Sequence, residues 1–245
     1  YMRTNSLFSI LITALAVFFL NSACLEITTE TTVNADGSGS QMVLMDMSKL
    51  IEKMGPMMFD GETPTEELFA EKMGAEMMGD IDSMGMATDN IDGLSNFNAG
   101  IEGYAIKYSM DFRELSDLQK FGKESAEGGS PSPAGLGGVT NDMKLSQKGS
   151  KTTLSWRASM DDMKEGLGAE GKDPAKMLEM MRGMFEGMKA TSIFHFPGAV
   201  KKVSDKDHMK VSKDKRTVIY QADMIDFLDG KIPEDNSIVF KQPKK

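Results

Sequence analysis

Methionine is the reactive side chain this sequence uses to excess, with 23 in 245 residues. Its thioether is a soft ligand suited to Cu(I). Met45-x-Met47, Met84-x-Met86, Met54-x-x-Met57-Met58 and Met177-x-x-Met180 have the close spacing that such sites use. The competing role is structural, because methionine is an unbranched, adaptable core filler. Met110, Met143 and Met160 fall on the inward faces of expected strands, and Met177, Met180, Met181, Met184 and Met188 share one face of an expected helix. Met54, Met57, Met58, Met84 and Met86 stand in expected loops or helix ends with no such role. A third role is an exposed, adaptable binding surface, with Phe69, Met73 and Met77 four residues apart as its candidate stripe. Burial of that stripe would make it core, and exposure would favour partner binding.

The other reactive groups are sparse. His195 lies between Phe194 and Phe196, His208 lies in the charged run SDKDHMK, and the sequence offers neither a partner. There is no phosphate-binding glycine loop with its lysine, no H-E-x-x-H and no G-x-S-x-G. Asp80, Asp82, Asp89 and Asp92, between Gly79 and Gly100, have no histidine and no recognised metal spacing, and read as a solvated loop. Asp36-Gly37-Ser38-Gly39 lacks the spaced carboxylates of a calcium loop and reads as a hairpin turn. The expectation is a non-enzymatic protein with no catalytic residue, no cofactor and no assigned metal ligand. Methionine-based Cu(I) or other metal handling is the alternative.

A single cysteine, Cys24, excludes an intramolecular disulfide and a thiolate metal cluster. It closes a leader in which Arg3 precedes an uncharged stretch, Thr4 to Ala23, whose apolar heart is LFSILITALAVFFL. That is a signal-peptide layout, with a transmembrane anchor as rival. The small residues before Cys24 weigh for processing: Asn21-Ser22-Ala23-Cys24 resembles the lipobox of bacterial lipoproteins, in a relaxed form with Leu20 one place early. The resemblance implies removal of residues 1–23 and acylation of Cys24 with palmitate-type chains. Two or more such chains hold a protein durably at a membrane. Losing Arg3 with the leader takes the formal charge from -9 to -10, against nucleic-acid binding and against polybasic docking on anionic lipid.

Behind the cysteine, Ile27, Thr29, Thr31 and Val33 alternate with Glu26, Thr28, Glu30 and Thr32 as a strand, and Gln41 to Met47 returns as its hairpin partner. Ser48 is a plausible N-cap for a short helix ending at Gly55-Pro56. Thr63-Pro64-Thr65-Glu66 reads as a capping box opening a helix towards Met78, and residues 79–100 read as loop. Tyr104, Ile106, Tyr108, Met110 and Phe112 form the cleanest strand pattern, and Glu114 to Phe121 a short amphipathic helix. The Gly/Ser/Pro-rich stretch 125–141 reads as a connector between lobes 24–124 and 142–245, with one domain over 24–245 as the other possibility. Beyond it come a hairpin (Met143–Gln147 and Thr153–Met160), a Met-rich helix over 174–189, and strands over 192–196, 209–212, 216–224 and 237–241.

Val33-Asn34-Ala35-Asp36-Gly37-Ser38-Gly39 and Phe194 to Val203 (FHFPGAVKKV) resemble envelope lipoproteins of Bacteroidota type, and are similar to the LppM-like β-rich lipoprotein domain. The resemblance implies a lipoprotein domain and carries over no functional residue. The expected fold is α+β, an antiparallel sheet of hairpins with amphipathic Met-rich helices on one face. The expected role is a lipid-anchored envelope protein that binds or scaffolds another envelope component. Its expected place is the outer membrane, with the periplasmic face as default. With Glu26 already in strand pattern, only Leu25 separates the lipid from the fold.

Overall fold

In the computed structural model, β1 (Glu26–Val33) buries Ile27, Thr29, Thr31 and Val33 and turns Thr28, Glu30 and Thr32 outward, as its alternation requires. The description covers residues 26–52, 59, 65–72, 74–127, 142–158, 182 and 186–243. Cys24 and the leader lie outside it, as do Met54, Met57, Met58, Met160, Met177, Met180, Met181, Met184 and most of the connector. After β1 the chain reverses through a turn in which Asp36 accepts the Ser38 backbone N–H at 3.1 Å. The Ser38 hydroxyl donates to the same carboxylate oxygen, 2.7 Å away. Gly37 there takes a φ of 96°, open to glycine at little cost. β2 (Gly39–Asp46) then pairs antiparallel with β1 along its whole length.

Two sheets form. β3 (Leu94–Glu102), β4 (Ala105–Phe112), β7 (Lys189–His195), β9 (Met209–Val211) and β10 (Thr217–Asp223) join β1 and β2 in a seven-stranded sheet of order β3-β4-β2-β1-β7-β10-β9. β5 (Lys144–Lys148), β6 (Lys151–Arg157), β8 (Val200–Val203) and β11 (Asp235–Lys241) form a four-stranded sheet of order β5-β6-β11-β8. Helices α1 (Glu66–Lys72), α2 (Gly74–Asn90), α3 (Leu115–Glu127) and α4 (Met224–Leu228) complete an α+β fold. β1 and β7 run parallel from Glu26↔Lys189 to Thr32↔His195. Strands from both sides of the connector therefore share one sheet.

The register puts one continuous face of the large sheet inward: Tyr108, Val43, Thr29, Ser192 and Tyr220 form one row across five strands. Two layers cover it. Over β7 and β10 lies the small sheet, with Trp156 5.1 Å from Phe194 and edge-on to Tyr220 at 5.7 Å. Phe196 stacks on Phe240 at 4.5 Å. Over β3 and β4 lie the helices, with Phe69 of α1 edge-on to Tyr104 at 5.5 Å and Phe121 of α3 6.4 Å from Tyr108. Such aromatic pairs add to the area they bury.

Several expected elements are displaced. Residues 79–90 are helix and 94–102 are strand, not loop. Ile81, Met84 and Thr88 are buried at helical spacing, which overrides the glycines and acids around them. α1 begins at Glu66, where the Thr65 hydroxyl accepts the Leu68 N–H at 3.1 Å as a cap, while Thr63 and Pro64 of the expected capping box lie outside the described residues. Ser48 lies inside the helical turn 48–52, whose N–H is accepted by Asp46 at 2.8 Å. α3 continues to Glu127, into the stretch expected as connector. Lys189 opens β7 instead of closing a helix, after Gly187 at a φ of 80°. β8 and α4 had no clear sequence signal. No helix among the described residues is long and apolar enough to cross a membrane.

Candidate functional site

The methionines that the structure describes are mostly core. Met45, Met47, Met84, Met110, Met143, Met188, Met209 and Met224 are all buried. Met84 was expected to lack a core role; it lies on the inward stripe of α2. Residues two apart on a helix point to opposite sides, so Met84 and Met86 cannot close on one ion, and Met86 is 62% exposed. Phe69, the described member of the stripe with Met73 and Met77, is fully buried against Tyr104. Asp82 and Asp89 are exposed on α2, and Asp92 forms a two-pronged pair with Arg113 at 3.3 and 3.2 Å. That pair raises the Arg113 pKa above its ordinary value. Among the described residues no three His, Cys, Asp or Glu side chains are placed to share a metal ion.

Both histidines have partners that the sequence did not reveal. His195, on the outer face of β7, meets Glu30 of β1 through Nε2 at 2.7 Å and the Thr217 hydroxyl of β10 through Nδ1 at 3.2 Å. Hydroxyl, imidazole and carboxylate thus stand in the order a hydrolytic triad uses. The row is half-buried on the outer face of the large sheet and lines neither of the two clefts described below.

His208 is held differently. Its Nδ1 lies 2.7 Å from Asp205, a side chain only 6% exposed. The same carboxylate accepts the backbone N–H groups of Asp207 at 2.9 Å and His208 at 3.2 Å. Burial pushes the Asp205 carboxyl up, but these hydrogen bonds outweigh it and hold it below the ordinary value. Behind the ring, 6.3 Å away, stands Tyr220, whose ionisation burial pushes far up, with Asp205 adding to the effect. The arrangement folds the loop between β8 and β9 into a rigid turn.

Two clefts open at the ends and edges of the sheets. One, of about 580 Å³, lies where the β1–β2 turn meets β3 and β4, and is lined by Thr32, Ser40, Asp92, Asp111 and Arg113 among others. Its acids are engaged, Asp92 by Arg113 and Asp111 by the Asn96 amide at 2.7 Å. The other, of about 470 Å³, lies between β8 and β9. It is lined by Val200, Val203 and Val211 with Lys201, Lys202, Lys206 and Lys215. Here β8 is the edge of the small sheet and β9 the edge of the large one. Sequence reading passed over these lysines because they are scattered in a chain that is acidic overall.

No protein-family model matches the chain, and no curated protein sequence matches it. Among solved structures, the NMR structure of the folded domain of LppM from Mycobacterium tuberculosis matches with a TM-score of 0.44 and 11% identity. That match covers 91% of this chain and 93% of that one.

Proposed function

We propose that this chain is a non-enzymatic, lipid-anchored protein of the cell envelope that binds or scaffolds another envelope component. Acyl chains on Cys24 hold it at the outer membrane, with the periplasmic face as its default side. The observation that carries this reading is the leader itself, an apolar run ending in small residues directly before the single cysteine. The fold is compatible with so short a tether. β1 starts at Glu26, is flanked on both sides by β2 and β7, and is pinned at its first residue by the Glu26–Lys49 ion pair at 2.6 Å.

A non-enzymatic role is favoured because the half-buried His195 row lines neither of the described clefts. The decisive experiment is metabolic labelling with a clickable fatty acid, followed by membrane fractionation. The parent chain is expected to carry label and sediment with membranes, and Cys24→Ala to lose both. A Cys24→Ala protein that is still acylated overturns the reading.

A further inference from the structure

From the groove between β8 and β9 we infer a docking site for an extended acidic peptide segment of a partner protein, added as a strand to the edge of β9 that no described strand pairs. Three observations converge on it. The first is the backbone. Ser212 N–H donates to Thr217 at 2.9 Å and Gln221 N–H to His208 at 3.0 Å, which fixes the alternation of the β9–β10 ladder. Ser212, Lys210 and His208 face β10, so Met209 and Val211 turn their N–H and C=O groups off the edge. A strand laid there finds donors and acceptors at the right period.

The second observation is apolar. Val211 is 42% exposed at that edge, on the same side as the buried Val200 and Val203 across the groove. An alternating peptide would cover it with every second side chain. The third is charge. Between Ala199 and Arg216 the chain has seven basic and three acidic residues, against an overall charge of -9. Four of those lysines line the groove, and among the described residues no acid does. Asp205 is turned into its own loop by His208, and Asp214 is engaged by Ser212 and the Arg216 N–H. One end of the groove is closed where Val200 N–H donates to the Lys215 carbonyl at 2.6 Å, so the occupant has a defined stop.

Lysines on edge strands also guard against unwanted strand pairing. The guard role and the docking role make opposite predictions. A guard repels every strand, whereas a docking groove selects an acidic one. A lipid headgroup would use the lysines but has no use for the alternating backbone groups of Met209 and Val211.

The test uses the full acylated chain in neutral detergent and a fluorescent eight-residue peptide of alternating Glu and Val, read by anisotropy. A Lys/Val peptide and vesicles with an anionic phospholipid are run beside it. Saturable binding of the acidic peptide, weakened by salt, is expected, with no binding of the basic one. Lys202→Glu with Lys215→Glu should raise Kd roughly tenfold or more. Val211→Pro removes an N–H outside the ladder, a change an edge strand tolerates, and should weaken peptide binding while leaving the circular dichroism unchanged.

Absence of peptide binding, or binding indifferent to both sets of variants, overturns the proposal. So does vesicle binding that the lysine pair abolishes while Val211→Pro leaves it intact, which would assign the groove to lipid. The inference rests on the reading of the chain as an anchored binding protein. Acyl labelling retained without peptide binding would remove the groove and keep the anchor.

Discussion

Asp205 offers the sharpest test of how the β8–β9 region is built. Its carboxylate, 6% exposed, is the common acceptor for two backbone N–H groups and one imidazole, at 2.9, 3.2 and 2.7 Å. In Asp205→Ala all three donors lose their acceptor. Leaving a buried donor unmet costs about 1–3 kcal/mol, and water reaches part of this loop, so a total of about 2–4 kcal/mol is expected. Asp205→Asn keeps one acceptor oxygen but no charge, and about 1–2 kcal/mol is expected. Urea unfolding followed by tryptophan fluorescence measures both, since Trp156 packs against Tyr220 behind His208.

The pH dependence has a definite sign. Burial raises the Asp205 pKa, the hydrogen bonds from His208 and Asp207 lower it by more, and the net shift is below the ordinary 3.8. A depressed carboxylate stabilises the fold above its unfolded pKa, and that contribution fades as pH falls through the folded one. The gap between the parent and Asp205→Asn should therefore be full at neutral pH and close as the pH drops below about 4. A gap that is unchanged at about pH 2.5 refutes the electrostatic account. So does an alanine variant within about 0.5 kcal/mol of the parent.

Two further outcomes follow from packing. A Cβ on Gly39 would lie 1.8 Å from the Thr32 carbonyl oxygen and 2.6 Å from Phe112, so Gly39→Ala must push β1 and β2 apart. A loss of about 3 kcal/mol in urea unfolding is expected. Gly79→Ala, with nothing within 4 Å, should gain up to about 1 kcal/mol in the helix; equal effects would refute the close approach at Gly39. Burial pushes the ionisation of Tyr108 and Tyr220 far above the ordinary value of 10.0. In an alkaline absorbance titration, Tyr108→Phe and Tyr220→Phe should leave the rise below about pH 11 unchanged until the chain unfolds.

The strands legible in the sequence were those with one buried face and one wet face. Ile27 to Val33 and Tyr104 to Phe112 alternate cleanly because the core lies on one side of the large sheet. α2 beyond Met78 was illegible for the opposite reason. Among its described side chains the buried ones are Ile81, Met84 and Thr88, one of them polar, and Gly79, Gly85 and four acids in the sequence mask them. Packing against α1, α3 and β3 stabilises that helix more than its own propensity does. β3 hid behind Asn96 at a φ of 54° and a bulge between Ser95 and Asn98, features of an edge. β8, VKKV, does not alternate. It exists because β11 pairs with it, and because Gly198 lets the chain pass so close to the Lys241 carbonyl that a Cβ would sit at 1.9 Å.

The same contrast governs the candidate sites. Glu30 and His195 are 165 positions apart and meet because β1 and β7 are parallel neighbours, which no local pattern announces. Asp205 and His208 are three apart, and a carboxylate capturing the next N–H groups in sequence is a local motif that could have been read from SDKDH. The groove needed both sheets, since its lysines become a single patch only when the two edges are brought side by side.

The two proposals also constrain each other. β1 runs from Glu26, in register with Lys189 and Asp223 across the sheet, to Thr32, in register with His195 and Thr217. At about 3.3 Å per residue its eight residues span roughly 26 Å. The Ser212–Arg216 turn, where Lys215 closes the groove, joins β9 to the Thr217 end of β10 and so lies at the far end from Glu26. On the proposed anchor at Cys24, two residues before Glu26, the closed Lys215 end of the groove would stand away from the bilayer, while its Lys206 end, beside His208 in register with Gln221, Thr191 and Thr28, would lie nearer to it. Headgroups of the anchoring leaflet would then approach the groove from its Lys206 end. A segment reaching in from a protein standing off the membrane would meet Lys215 first. The two occupants are therefore distinguished by the end of the groove each would meet first, lipid at Lys206 and peptide at Lys215.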